Sequence, residues 1–176
     1  MTQRVIEQYG IRLRPMQRTD LEMIRQYRNR PDMRRWMTTD HEIQRDEMES
    51  WFGNLPEDSE YWIVEYEGRT VGQANLKAIG PDVADPGYMF WDEEFQAGGG
   101  VPRVVLALFS YAFNVRKVRK LLGLTACDNN RALRLAKGMG FVEGAVEEIG
   151  GRLFCHMELL PDAFAHKEAL YKDALQ

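Results

Sequence analysis

The spacing of apolar and polar residues changes several times along the chain, and each change marks an element. From Ile11 to Met16, "IRLRPM" alternates apolar and basic positions, as an edge strand does. Thr19 or Asp20 then caps a helix running to about Tyr27, and Pro31 restarts the chain in a further helical turn, "PDMRRWM". In "EIQRDEMESWFGNL", Ile43, Met48, Trp51, Phe52 and Leu55 share one helical face, which Gly53 and Pro56 end. Residues 61–66 and 70–79 are strands joined by a Glu67-Gly68 turn. "PDVADP" reads as a turn, and "GYMFWDEEF" as a strand that runs into Gly98-Gly99-Gly100. Val101, Val104, Val105, Leu108, Ala112 and Val115 then form a single stripe on a helix from about Val101 to Val115. "KLLGLTAC" is a strand. "DNNRALRLAKGM" is a helix capped by Asp128 and stopped by Gly138 or Gly140. "FVEGAVEEI" and "RLFCHMELL" are two last strands around Gly150-Gly151, and residues 162–176 form a polar helical tail. This order predicts a mixed α/β fold around one sheet, with residues 1–176 as a single domain free of internal repeats.

Composition narrows the function classes. The chain has 176 residues, 44% of them hydrophobic and 28% charged, which suits one ordinary globular core. A net charge of -4 speaks against non-specific nucleic-acid binding, which needs a basic surface. "MTQRVIEQYG" lacks the apolar run of a signal peptide, and no stretch approaches a membrane span. Cys127 and Cys155 lie among apolar neighbours in strands; Cys127 reads as a small buried residue, and a disulfide between the two is the minor alternative. The default expectation is a reduced, cytoplasmic protein.

The glycines carry the first chemical signal. Gly98 to Gly100 stand directly before an amphipathic helix whose second residue is Pro102. Free N–H groups and the helix dipole make such a terminus an anion site, and glycines let an anion approach the backbone. A plain glycine-rich turn gives the same local pattern. A P-loop would need Gly-Lys-Ser/Thr, where Val101-Pro102 stands; a dinucleotide fingerprint would need glycine where Arg103 stands.

"QAGGGV", Gln96 to Val101, resembles the Q/R-x-x-G-x-G/A signature of the GNAT acyltransferases, with Gln96 and Gly99 at the fixed positions. Val101 departs from the last position, and Pro102 removes an N–H. "DNNRALRLAKGMGF" is similar to that family's "ENNxAxxLYxKxGF" segment, with Ala136 where many relatives have Tyr. The resemblance implies a GNAT fold: one mixed, mostly antiparallel sheet flanked by about four helices, with a splayed acyl-CoA cleft. It implies acetyl-CoA as co-substrate and no metal. Phe90, Trp91, Asp92, Gln96, Ala97, Gly98, Gly99, Gly100, Val101 and Asn129 would hold it, with oxyanion donors from the backbone at about Phe90 to Asp92. Amine acetylation needs a base, an oxyanion site and a way for the thiolate to leave. Asp85 matches a family carboxylate near the amine, although Asp-Pro is also ordinary turn chemistry. With Tyr absent at Ala136, Tyr88 or water assists the thiolate, or it leaves unassisted.

The segment from Tyr27 to Ile43, "YRNRPDMRRWMTTDHEI", is the candidate acceptor site. Arg28, Asn29, Arg34, Trp36 and His41 combine phosphate-binding cations with a stacking ring. A solvated helix end with one core Trp, and a structural His41, explain the same residues. The segment resembles the amino-sugar acetyltransferases of flagellar pseudaminic acid synthesis, and the wider chain the Rim-type N-terminal acetyltransferases of ribosomal proteins. Three readings follow: acetylation of a small-molecule amine such as a nucleotide-linked amino sugar, acetylation of a protein N-terminus, and a non-catalytic acyl-CoA sensor. The expected partners are acetyl-CoA and that amine, without nucleic acid or membrane, and with a homodimer left open.

Overall fold

The computed structural model describes residues 3–38 and 41–174. Among them are eight strands in one open sheet and seven α-helices. The strands are β1 (Ile6–Gln8), β2 (Ile11–Pro15), β3 (Glu60–Tyr66), β4 (Arg69–Lys77), β5 (Val83–Phe90), β6 (Lys120–Ala126), β7 (Val142–Ile149) and β8 (Arg152–Leu159). Their order is β1-β2-β3-β4-β5-β6-β8-β7, antiparallel throughout except for β5 beside β6.

β3 and β4 sit mid-sheet with buried residues on both faces; β3 carries the continuous apolar run Tyr61 to Val64, while β4 interleaves apolar residues with Gln73 and Asn75. On one face Trp62 and Val64 pack under α5 (Gly100–Ser110). On the other, Tyr61 and Ile63 pack under α1 (Leu21–Arg28) and α3 (Arg45–Gly53). A short α2 (Pro31–Arg34) lies between those two helices in the chain.

Several elements differ from the pattern reading, each for a local reason. β1 is only three residues long and went unread; Tyr9 and Gly10, both at positive φ, turn it back into β2. Residues 93–97 form helix α4 (Glu93–Ala97) rather than strand, because the Asp92 carboxylate accepts the Phe95 N–H at 2.8 Å and starts a helix. α5 begins at Gly100, and from Val104 to Phe113 every residue is buried, not one stripe only. Val115 instead is 49% exposed, because residues 111–115 widen into a π turn that rotates it off the stripe. α6 (Asn130–Gly138) is capped by Asn129, not Asp128: the Asn129 Oδ1 accepts the Ala132 N–H at 3.1 Å. α7 (Pro161–Ala174) is held down by Phe164 against Phe109 and Phe113, and by Glu168, which accepts the Tyr9 hydroxyl at 2.7 Å. The predicted tail's last two residues, 175–176, lie outside the described residues.

The expected pair of reduced cysteines is also corrected. β6 lies beside β8 with Thr125 opposite Cys155, and the Cys127 N–H donates to the Leu153 carbonyl at 2.9 Å. That register sets the two cysteines diagonally on one face, 5.4 Å apart at Cα, and their sulfurs are bonded.

The feature that positions the site is a split in the sheet. β5 and β6 pair only at Val83↔Lys120 and Ala84↔Leu121, then diverge. The Lys120 N–H donates to the Asp82 carbonyl, so even-numbered residues of β5 face β6. The next bond from β5 would need an N–H at position 86, and Pro86 has none. "ADP" is therefore strand rather than turn, and its proline stands at the position where the sheet opens.

Candidate active site

The split opens a cavity of about 560 Å³ between the two halves of the sheet. On one side its floor is β4 and β5, with Gln73, Asn75, Lys77 and Asp85 pointing inward, and Gly87 leaving room for the Asn75 amide. Its roof there comes from Ile24, Arg28, Met33, Trp36, Met37 and Trp51. The other side is lined by Tyr88 together with Asn129, Ala132 and Ala136 of the α6 region. The two arms meet across β5, because neighbouring strand residues point to opposite faces.

Asp85 is the one carboxylate among the lining residues, and Lys77, its partner in register on β4, holds it at 2.9 Å. Tyr88 has burial as its dominant influence, which pushes its phenol up to about 12. At neutral pH it is a proton-bearing donor and not a base. Ala136 is buried on the facing helix and leaves the space before Tyr88 open.

The backbone of β5 also divides by parity. The Trp91 N–H donates to the Val71 carbonyl at 3.1 Å, and the Asp92 N–H reaches the same oxygen at 3.4 Å. Those two amides are therefore engaged, which leaves Phe90 of the expected stretch at about Phe90 to Asp92. The ladder parity turns the Phe90 and Tyr88 N–H groups toward the gap instead. Around them the side chains are structural. The Phe90 carbonyl accepts the Tyr27 hydroxyl and, at 3.0 Å, the Gln96 Nε2. Trp91 packs edge-on against Tyr27, and Asp92 caps α4 and pairs with Arg69 at 2.9 Å.

The glycine loop lies at the start of α5, outside the lining of the cavity. Its three glycines serve different needs. A Cβ on Gly100 would meet the Phe95 ring at 2.1 Å, so that glycine is fixed by packing. Gly99 caps α5 at φ +76 with nothing within 4 Å of a built Cβ, so its face is open. Gly98 donates to the Glu94 carbonyl and closes α4. Ala97 is exposed beside this opening, while Val101 packs against the core. The open αL turn and the unpaired N–H groups of the first helical turn suit a phosphate, with one donor fewer at Pro102.

The acceptor candidates separate more sharply. Arg28 and Trp36 line the cavity. Arg28 has no ion-pair or hydrogen-bond partner among the described residues, and burial pushes its guanidinium below its ordinary value. Asn29 does not face the cavity: its amide clasps both the N–H and the carbonyl of Ile43 at 2.8 Å, which joins the two ends of the loop. Arg34 is outside the lining, with its Nε buried and unpartnered. His41 is on the surface, 2.7 Å from Glu47. Arg30 pairs with Asp32, and Arg35 stacks over Trp36. Thr39 and Asp40 of the segment lie outside the described residues. A run of four arginines thus supplies one cation to the cavity. The pattern reading missed Gln73, Asn75, Lys77 and Tyr61, because a strand's inward polar residues look like those of any half-exposed strand.

With this geometry in place, comparison supplies a family. The sequence profile of the acetyltransferase (GNAT) domain matches residues 11–142, and the chain belongs to that family. A search of curated protein sequences gave no match. Among solved structures, the chain is similar to a spermidine N-acetyltransferase from Vibrio cholerae in complex with CoA and spermine. The TM-score is 0.79 at 23% identity, over 89% of this chain and 98% of that one. It is similar to an aminoglycoside acetyltransferase in complex with coenzyme A, with TM-score 0.76, 20% identity, and coverage of 89% and 98%. A GCN5-related N-acetyltransferase from Brucella melitensis gives TM-score 0.80 at 17% identity, over 100% of this chain and 87% of that one. At these identities the likeness is one of fold. No helix among the described residues is long and apolar enough to cross a membrane, and they hold no cluster suited to a metal ion.

Proposed function

We propose that the protein transfers an acetyl group from acetyl-CoA directly to a primary amine, and that the amine belongs to a nucleotide-linked amino sugar. The single observation that carries the acceptor class is the charge of the cavity. Its lining holds Arg28 and Lys77 against one carboxylate, Asp85, which Lys77 already partners. A polycation such as spermine would meet a net positive wall there. An acceptor with one amine and a separate anionic group fits better: the amine at Asp85, the anion at Arg28, and a ring against Trp36 and Trp51.

In this reading Asp85 takes the ammonium proton, directly or through a water, while Lys77 holds the carboxylate in place. The Phe90 and Tyr88 amides receive the developing oxyanion. Tyr88 donates a hydrogen bond to the sulfur as the C–S bond breaks. Its phenol is less acidic than a thiol, whose ordinary pKa is about 8.5, so the thiolate is stabilised and the tyrosine keeps its proton. The pyrophosphate lies at the open Gly99 turn, and Asn129 faces the same arm as the reacting thioester.

The test is free-thiol release from acetyl-CoA with a panel of amines. Turnover of a uridine-diphosphate-linked amino sugar, competed by uridine diphosphate, is the expected result. Acetylation of an N-terminal peptide, with no inhibition by nucleotides at millimolar concentrations, would transfer the protein to the Rim-type reading. No turnover with any amine, alongside tight binding of acetyl-CoA, would make it a sensor.

A further inference from the structure

A long-range contact ties the roof to the C-terminal half of the fold. Arg152, the first residue of β8, reaches with its guanidinium to the turn at residues 35–37, of which Trp36 and Met37 line the cavity. Its Nη1 donates to the Met37 carbonyl at 3.0 Å, and its Nη2 donates to the Arg35 carbonyl. The donor and its acceptors are 115 and 117 residues apart in sequence. The same guanidinium lies 5.3 Å above the ring of Phe154, itself a lining residue. The roof segment of residues 31–38 belongs to the N-terminal half of the fold, and Arg152 belongs to the C-terminal half. The cavity is therefore hinged where β5 pairs with β6 and fastened at Arg152.

We propose that Arg152 is a specificity-determining latch: it ties the turn at residues 35–37 over the acceptor arm, and so limits the arm to acceptors that fit beneath Trp36 and Met37. The proposal rests on the reading that the amine enters this arm. The acceptors of the latch are main-chain carbonyls rather than carboxylates. Such bonds position a turn, yet water replaces them more readily than it replaces an ion pair. Two parallel N–H donors on a planar fork also fix direction, which one ammonium cannot do. Stacking on Phe154 aims the fork from below. Within the tied turn, the Trp36 N–H bonds the Met33 carbonyl at 3.0 Å and the Met37 N–H bonds the Arg34 carbonyl at 2.9 Å. These amides report whether the roof is fastened.

Hydrogen exchange on the full chain without ligand reads the latch independently of any activity. In Arg152→Ala, a peptide spanning residues 33–38 should exchange about tenfold faster, while amides of β3 and β4 hold their rates. Arg152→Lys keeps the charge and the stem but loses the fork, so its rate should fall between the two. Kinetics with acetyl-CoA and a uridine-diphosphate-linked amino sugar form the second arm. Arg152→Ala should raise KM for the amine about tenfold, with KM for acetyl-CoA unchanged, and Arg152→Lys should restore part of the loss. Unaltered exchange at residues 33–38 in either variant, with the fold intact by melting midpoint, overturns the latch. An equal rise in both KM values overturns its role in acceptor choice. If the amino sugar is not turned over at all, the proposed acceptor is wrong, and the exchange measurement alone decides the latch.

Discussion

Replacing Arg28 by methionine should move stability and ligand binding in opposite directions. Arg28 is a cation drawn partly out of water with no partner among the described residues, and its burial works against its charge. Methionine keeps an unbranched stem at a position that lines the roof together with Ile24 and Met33. The free protein then loses an uncompensated charge, and the gain should be roughly 0.5–1 kcal/mol, as is usual when a site built for binding is relieved. For a chain of this length that raises the melting midpoint by about 1–4 °C. The bound state loses a charge-assisted contact to the anionic group of the acceptor, worth roughly 1.5–3 kcal/mol. At 1.4 kcal/mol per decade this weakens uridine diphosphate about 10- to 150-fold. Differential scanning fluorimetry and competition against the amine measure both quantities on one preparation. A variant that melts lower and is inhibited as well as the parent would show that Arg28 braces the roof, and the charge argument for the acceptor would fall with it.

Asp85→Asn should lower kcat at least about tenfold with acetyl-CoA affinity nearly intact, since the side chain lies in the acceptor arm; wild-type turnover between pH 6 and 9 refutes this. Gly99→Glu should abolish coenzyme A binding in calorimetry through bulk and charge, whereas Gly99→Asn, which tolerates positive φ, should retain most of it; equal losses would make the effect one of backbone strain. Asp20 is pushed up by burial, but two bonds from Arg14 at 2.8 Å and the Gln17 N–H outweigh that and hold the carboxyl below its ordinary value. Its contribution is present above the unfolded value and lost as pH falls through the lower folded one. Asp20→Asn should therefore cost about 3 kcal/mol at pH 7, roughly 6–12 °C in melting midpoint, and the gap to the parent should close in acid. A gap that does not narrow at all as the pH falls below the ordinary carboxylate range would assign the loss to packing.

The parts of this fold visible in the sequence are those whose causes are local. The alternation of β2, the hairpin of β3 and β4, and the helix after the glycines each follow from neighbours within a few residues. Asp85-Pro86 misled because the dipeptide favours turns wherever a sheet partner competes for the missing N–H. Here no partner stands on that side, so strand geometry prevails. Asn29 could not be told from a ligand-binding amide, since its partner Ile43 lies 14 residues on. Four arginines in eight residues looked alike. Only the folded chain shows one facing the cavity, one paired with Asp32, one stacked on Trp36 and one with a buried Nε. The bonded cysteines depend on strand pairing across 28 residues and the Arg152 contacts on side-chain bonds across more than a hundred, beyond any periodicity.

Pro86 has a consequence for how a split sheet tolerates an unpaired flank. An unpaired strand flank is an adhesive surface, and proteins ordinarily blunt such flanks with charge or cover them. This protein keeps one in its interior. On the flank of β5 past Ala84, the proline withholds a donor where β6 would otherwise zip on, and the amides of Tyr88 and Phe90 remain beyond it. The cavity encloses that flank, since Pro86, Gly87 and Tyr88 are among its lining residues. One imino acid thus leaves an unpaired strand flank inside the fold rather than at the outer edge of the sheet.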